Sequence, residues 1–179
     1  VRTPKSAPIT SRSDVLPDVL RSGLTIVFCG TAPGAVSATR GFYYAHPYNK
    51  FWPTLHEVGL TPRRLAPEEF ALLPTWRIGL TDLAKRVFGM DKQLPPGALG
   101  AEAAADLRAR IEACQPRILA FTSLTAGRKF LRRPAGFGEQ AETIGRSRIW
   151  LLPSPSPAAQ WNWDIGWWRK LAERASELP

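Results

Sequence analysis

The chain has 179 residues, enough for one well-packed core and too few for two comfortable domains. Lys and Arg number 24 against 15 Asp and Glu, a formal net charge of +9, and the basic residues are scattered rather than gathered in one tail. A distributed cationic surface suits a polyanion such as nucleic acid, or serves solubility alone. With 2 cysteines in apolar segments, Cys29 and Cys114, the chain offers core thiols rather than a disulfide or metal site. No apolar run approaches the roughly 20 residues of a membrane helix, and the polar stretch "VRTPKSAPITSRSD" has no hydrophobic signal core, so a cytoplasmic protein without membrane contact is expected.

In chain order, residues 1–13 are rich in Pro, Ser and Arg and predict a flexible basic arm, with a single domain over 14–179. "LTIVFC" (24–29), "RILAFT" (117–122) and "RIWLLP" (148–153) are apolar without alternation, the pattern of strands buried on both faces of a parallel sheet. "WRIGL" (76–80) is a fourth, weaker strand. Helical patterns fall between them, over 49–59, 101–114, 124–133 and 164–176; in the second, Leu107, Ile111 and Cys114 share one face. This alternation predicts a three-layer α/β/α domain around a mainly parallel sheet of four to five strands, with the ligand site at the carboxyl ends of the strands.

The segments just past those strands are therefore the candidates: "GTAPG" (30–34), "TDL" (81–83), "TSLTAG" (122–127) and "PSPSPAAQWNW" (153–163). "GTAPG" either makes an ordinary turn or offers backbone N–H groups to a negative group. It lacks the Lys-Ser/Thr of a P-loop and the spacing of a dinucleotide fingerprint, which argues against a nucleotide cofactor. Ser154 and Ser156, held between prolines, suit a pre-shaped backbone that meets a ligand better than a linker. His46 and His56 have no metal-ligand spacing, and no GxSxG elbow is present. Aromatics beside basic residues in the loop "GFYYAHPYNKFW" (41–52) are core residues or base-stacking platforms.

Four of these pieces, "GTAPG", "GFYYAHPYNKFW", "GLTDL" and "LPSPSPA", taken in order over residues 24–175, resemble the motif series of the uracil-DNA glycosylase superfamily. The resemblance is nearest to the mismatch-specific uracil (Mug) and thymine-DNA glycosylase branch. The tyrosine pair and "PSPSPA" also resemble the hypoxanthine-DNA glycosylase branch. Branches with an iron–sulfur cluster need four cysteine ligands and are set aside, so no cofactor is expected.

The resemblance implies a monofunctional enzyme, a monomer on double-stranded DNA, nucleoid-associated through that binding in a bacterial-type cytoplasm. It would flip uracil, above all from a G·U mismatch, and hydrolyse its N-glycosidic bond, leaving an abasic site. By position, Thr31, Ala32, Pro33, Gly34, Tyr44 and His46 would bind the base, with Tyr44 stacked on it. Ser154, Ser156, Pro157, Ala158 and Gln160 would contact DNA. Two departures stand out. The family's water-positioning Asn is replaced by Ala32, which leaves Asp82 as the first candidate for activating water and Asn49 as the second; Asp82 could instead cap a helix begun by "LAKR". Where the family places a bulky wedge, Ala158 is too small, leaving Gln160 or Trp161 to fill the gap in the base stack. Two other classes compete: a DNA-binding relative without catalysis, and an unrelated α/β hydrolase of a small anionic substrate.

Overall fold

The computed structural model describes residues 13–178; all of the expected arm except Ser13 lies outside that range. Five strands form one sheet: β1 (Ile26–Gly30), β2 (Ile78–Asp82), β3 (Ile118–Phe121), β4 (Gly138–Ile144) and β5 (Ser147–Leu151). Their spatial order is β2-β1-β3-β5-β4. The first four in that order pair in parallel, and β4 closes one edge antiparallel to β5. The helices are α1 (Ala35–Arg40), α2 (Phe51–Glu57), α3 (Ala101–Cys114), α4 (Leu124–Leu131) and α5 (Gly166–Glu177).

Every residue of β1, β2 and β3 is buried, because both faces of the sheet are covered. Alternation along the strands divides the core in two. Ile26 and Phe28 of β1, Ala120 of β3 and Trp150 of β5 face one layer with Phe51 and Trp52 of α2 and Trp168 of α5. Val27 and Cys29, Leu119 and Phe121, and Ile149 and Leu151 face the other, against Leu107 and Ile111 of α3 and Phe130 of α4. In the first layer Phe28 stacks on Trp168 at 5.5 Å and meets Phe51 edge-on at 5.3 Å. Each such side chain, fully buried, contributes about 2–3 kcal/mol by area removed from water. Both cysteines are buried free thiols in the second layer.

The three-layer architecture and the four parallel strands agree with the sequence reading, and helix α3 falls on its predicted bounds. The apolar run "WRIGL" starts its strand two residues late: a 3-10 segment over Pro67–Trp76 runs into it, and Arg77 is left-handed at φ 59°. Strand β4 escaped prediction because an edge strand buries little; of its seven residues only Gly138 and Ile144 are buried.

The topology fixes where a ligand can sit. From β1 the chain crosses to β2 on one side and later to β3 on the other, so the strand order reverses between β1 and β3. In open α/β sheets the ligand crevice lies outside the carboxyl ends of the strands at such a switch point. For β1 and β3 those ends are Gly30–Thr31 and Thr122–Ser123.

Candidate active site

The turn after β1 is pinned through its carbonyls. Leu83 N donates to Gly30 O at 2.9 Å, Ala84 N to Thr31 O at 2.9 Å and Gly89 N to Pro33 O at 2.9 Å. With its carbonyls committed to the 83–89 loop, the turn leaves the amides of Ala32 and Gly34 with no acceptor among the described residues. The Thr31 hydroxyl reaches across the crevice to the Ser123 hydroxyl at 3.2 Å, and the same Ser123 Oγ caps α4 by accepting from Ala126 N at 3.0 Å. Thr122 N donates to Cys29 O at 3.0 Å. A hydroxyl pair thus bridges the two strand ends; the sequence reading named Thr31 as a base-binding residue but marked Ser123 only as part of a strand-end segment.

Asp82 ends β2, paired with Gly30, and is 3% exposed. Its Oδ1 lies so near Gly30 that a Cβ on that residue would sit 2.6 Å from it and 3.7 Å from the Tyr44 hydroxyl. Only glycine lets the carboxylate and the phenol approach the same point at the strand end. Oδ2 is buried with no hydrogen-bond partner. Burial pushes the Asp82 carboxyl up to about 7, with the Lys85 charge opposing, Asp18 reinforcing and Arg110 opposing. These three form a network behind it. Lys85 Nζ pairs with Asp18 Oδ1 at 2.7 Å and donates to Leu16 O at 2.7 Å. Arg110 donates to Asp82 O at 3.1 Å, to Asp18 Oδ2 at 3.3 Å and to the Thr81 hydroxyl.

The helix-capping alternative for Asp82 does not hold. Residues 83–86 form no helix, because their first amides are spent on the carbonyls of Gly30 and Thr31.

Tyr44 stands in the left-handed region at φ 51°, a conformation costing a non-glycine residue of order 1 kcal/mol or more. Two contacts hold it there: its hydroxyl shares a hydrogen bond with Thr122 Oγ1 at 3.1 Å, and its ring stacks on Phe51 at 3.9 Å and 17°. Burial, then the Asp82 charge, push its phenol well above the usual tyrosine range, so it stays protonated. Phe51 is fully buried at the start of α2, which makes the platform rigid.

Asn49 lies two residues before that helix. Its Oδ1 accepts from Phe51 N at 3.0 Å, which leaves the amide NH₂ to donate. His46 Nδ1 accepts from Tyr48 N at 3.2 Å, and its carbonyl accepts from Asn49 N at 2.9 Å. Lys50 N donates to Pro155 O at 2.9 Å, tying this turn to the "PSPSP" segment. There the hydroxyls make local turns: Ser154 Oγ accepts from Ser156 N at 3.3 Å, and Ser156 Oγ from Ala158 N at 3.3 Å, capping a 3-10 segment over Pro157–Asn162. Gln160 and Ala158 are exposed on it, and Trp161 is 85% exposed.

The predicted site residues therefore fall into two groups. Thr31–Gly34, Tyr44 and Asp82 meet at the β1/β3 crevice. Asn49, His46 and the Ser154–Gln160 segment form an adjoining lip, joined to the first group through Phe51. No direct hydrogen bond links Asn49 to Asp82 among the described residues. Sequence reasoning missed Thr122, Ser123, Asp18, Lys85 and Arg110. The first two were in view as a hydroxyl pair at a strand end; the other three act only through tertiary contacts. Two open clefts, of about 750 and 570 Å³, lie elsewhere on the surface.

A buried carboxylate and a strained aromatic thus lie at the switch point of a doubly covered α/β sheet, the place where sheets of this class hold their ligands. Residues 17–174 match the uracil DNA glycosylase superfamily, and the chain belongs to that superfamily. It is also similar in structure to a Methanosarcina acetivorans protein, solved in solution by NMR and provisionally assigned as a uracil DNA glycosylase. The TM-score is 0.60 at 21% identity, over 90% of this chain and 96% of that one.

Proposed function

We propose that the chain is a monofunctional DNA glycosylase that removes uracil from G·U mismatches. The observation that carries the reading is the convergence of the Asp82 carboxylate and the Tyr44 hydroxyl on Gly30 at the β1/β3 crevice. In this mechanism a flipped uracil lies on the face of Tyr44 opposite Phe51, recovering part of the several kcal/mol spent on unstacking. Asp82 takes a proton from a water as the water oxygen bonds to C1′ of the sugar. The C1′–N1 bond breaks, and its electron pair leaves with the base as a uracil anion. The amides of Ala32 and Gly34 are fixed before the reaction and favour that negative charge without reorganising. Asn49, whose carboxamide oxygen is spent on Phe51 N, presents only donors. It complements a carbonyl of uracil and opposes the amino group of cytosine. His46 borders the same pocket. The Ser154–Ser156 segment and Pro157 grip the flanking phosphates, and Trp161, with Ala158 and Gln160 beside it, fills the vacated stack.

A second reading, DNA binding without catalysis, draws on Ala32: its methyl group cannot hold water, and Asp82 Oδ2 is sealed from solvent. Labelled duplexes carrying G·U, A·U, G·T and G·hypoxanthine separate the two. The proposal expects alkali-dependent cleavage at uracil, greatest opposite guanine. Strand breaks without alkali would make the enzyme bifunctional. Binding with no base release at enzyme excess would leave the second reading.

A further inference from the structure

The larger cleft, of about 750 Å³, runs between the first turn of α3, at Gly100 and Ala101, and the outer face of α4. Arg128, Lys129, Arg132 and Arg133 line it, and all four are exposed. Arg133 is balanced by Glu142, whose two oxygens it holds at 2.6 Å each, and Arg128 is anchored through Nε to Ala135 O at 2.9 Å. The side chains of Lys129 and Arg132 have no acceptor or ion-pair partner among the described residues. Arg108 of α3 stands close by, its guanidinium 5.2 Å from the Phe130 ring centroid. Against these cations, Glu142 is the only acidic partner of the cleft's lining residues among the described residues. Arg128 and Lys129 stand in the last turn of α4, where the helix dipole favours cations, and Arg132 and Arg133 follow directly; so exposed a surplus of one charge suits a polyanion.

The cleft is also continuous with the site. Ser123, which meets Thr31 across the crevice, caps α4, and Thr125 two residues later already lines the cleft. A strand leaving the crevice past α4 would meet Thr125, then Arg128 and Lys129, then Arg132 one helical turn further on. We propose that this α3/α4 cleft is a second DNA site, which holds backbone phosphates of the same duplex several nucleotides from the flipped base. It rests on the glycosylase reading for the identity of the polyanion. The contacts are to phosphate alone, so they add affinity and positioning without sequence preference.

The test is the double substitution Lys129→Gln, Arg132→Gln, which changes two exposed side chains. Affinity for a G·U duplex is measured against salt, beside the single-turnover excision rate at saturating enzyme, with Arg64→Gln as a control on another exposed loop. The proposal expects a plot of log K against log salt shallower by about two, equivalent to about ten-fold less loss of affinity between about 50 and 200 mM. It also expects an excision rate within about two-fold of wild type at saturation, and little change of slope in the control. A wild-type slope in the folded double variant overturns the cleft, as does an equal change in the control. The two readings fail separately: a shallower slope in a protein that releases no uracil keeps the cleft and removes the glycosylase, and uracil release with an unchanged slope does the reverse.

Discussion

Asp82 is held in a state that costs stability. Its carboxyl titrates near 7 in the folded protein against an ordinary value of 3.8, so between those values the folded state binds more protons than the unfolded one. The stabilisation associated with the protonated form is complete below about 3.8 and is lost as pH rises through about 7. Asp82→Asn removes that titration. Its stability relative to wild type should therefore increase with pH, by on the order of 2 kcal/mol between about pH 5 and pH 8 in denaturant titrations. A constant difference across that range would mean that the carboxyl is not buried as described. Tyr44 carries strain of a different kind, in its backbone. Tyr44→Gly would relieve φ but delete the platform and its packing on Phe51, so excision should fall by about ten-fold or more and urea unfolding should show a net loss of about 2–4 kcal/mol, the lost packing outweighing the relieved strain. Of the two residues, Asp82 was legible in the sequence from its place after a strand. The strain at Tyr44 was not, because a positive φ on a tyrosine follows from the Thr122 and Phe51 contacts rather than from local preference.

At the scale of elements, α4 and the 3-10 segment after β5 make separate predictions. Gly127 of α4 packs on β5 so closely that a Cβ would lie 2.5 Å from Leu151 Cγ. Gly127→Ala gains about 1 kcal/mol of helix propensity but pushes α4 off the sheet, and the net effect should be destabilising by about 1–3 kcal/mol in thermal or urea unfolding. A stabilised variant would mean that α4 is free to shift. Trp161 is exposed on the 3-10 segment, and under the proposed function it fills the gap left in the base stack. Trp161→Ala should lower excision from duplex by about ten-fold while leaving single-stranded uracil nearly unaffected. Equal losses on both substrates would place it in the base pocket instead. The helices and parallel strands were readable because burial on both faces writes continuous apolar runs and helical periodicity. The hairpin was not, although its turn signal, Gly145 at φ 55° followed by Arg146 between Ile144 and Ser147, was present in "TIGRSRI". Its edge strand simply has too few buried residues to show a pattern.

For the whole molecule, the surplus of nine positive charges implies several phosphate contacts, so DNA affinity should fall with salt at a log–log slope of minus several. A flat response would direct that charge to another partner. Composition pointed to a polyanion but could not say where on the surface it binds; the fold gathers four of the cations along one cleft, which runs on from the strand ends where Asp82 and Tyr44 meet. Three of the four motifs sit at strand ends, as the sequence suggests; the fourth, over 41–52, instead joins α1 to α2 and reaches the same end of the sheet through Tyr44. Only the assembled sheet shows that the carboxylate of β2 reaches the Gly30 turn, where the resemblance had left Ala32 without a partner for water. The central claim is that Asp82 activates this water. It is tested most directly by the single-turnover rate of uracil release from a G·U duplex, followed across pH for wild type and Asp82→Asn at saturating enzyme. The account predicts a wild-type rate that rises with pH to a plateau above about 7, and a variant slower by about 100-fold or more with that rise abolished. An Asp82→Asn enzyme with the full rate, or one that keeps the wild-type pH profile, would contradict it.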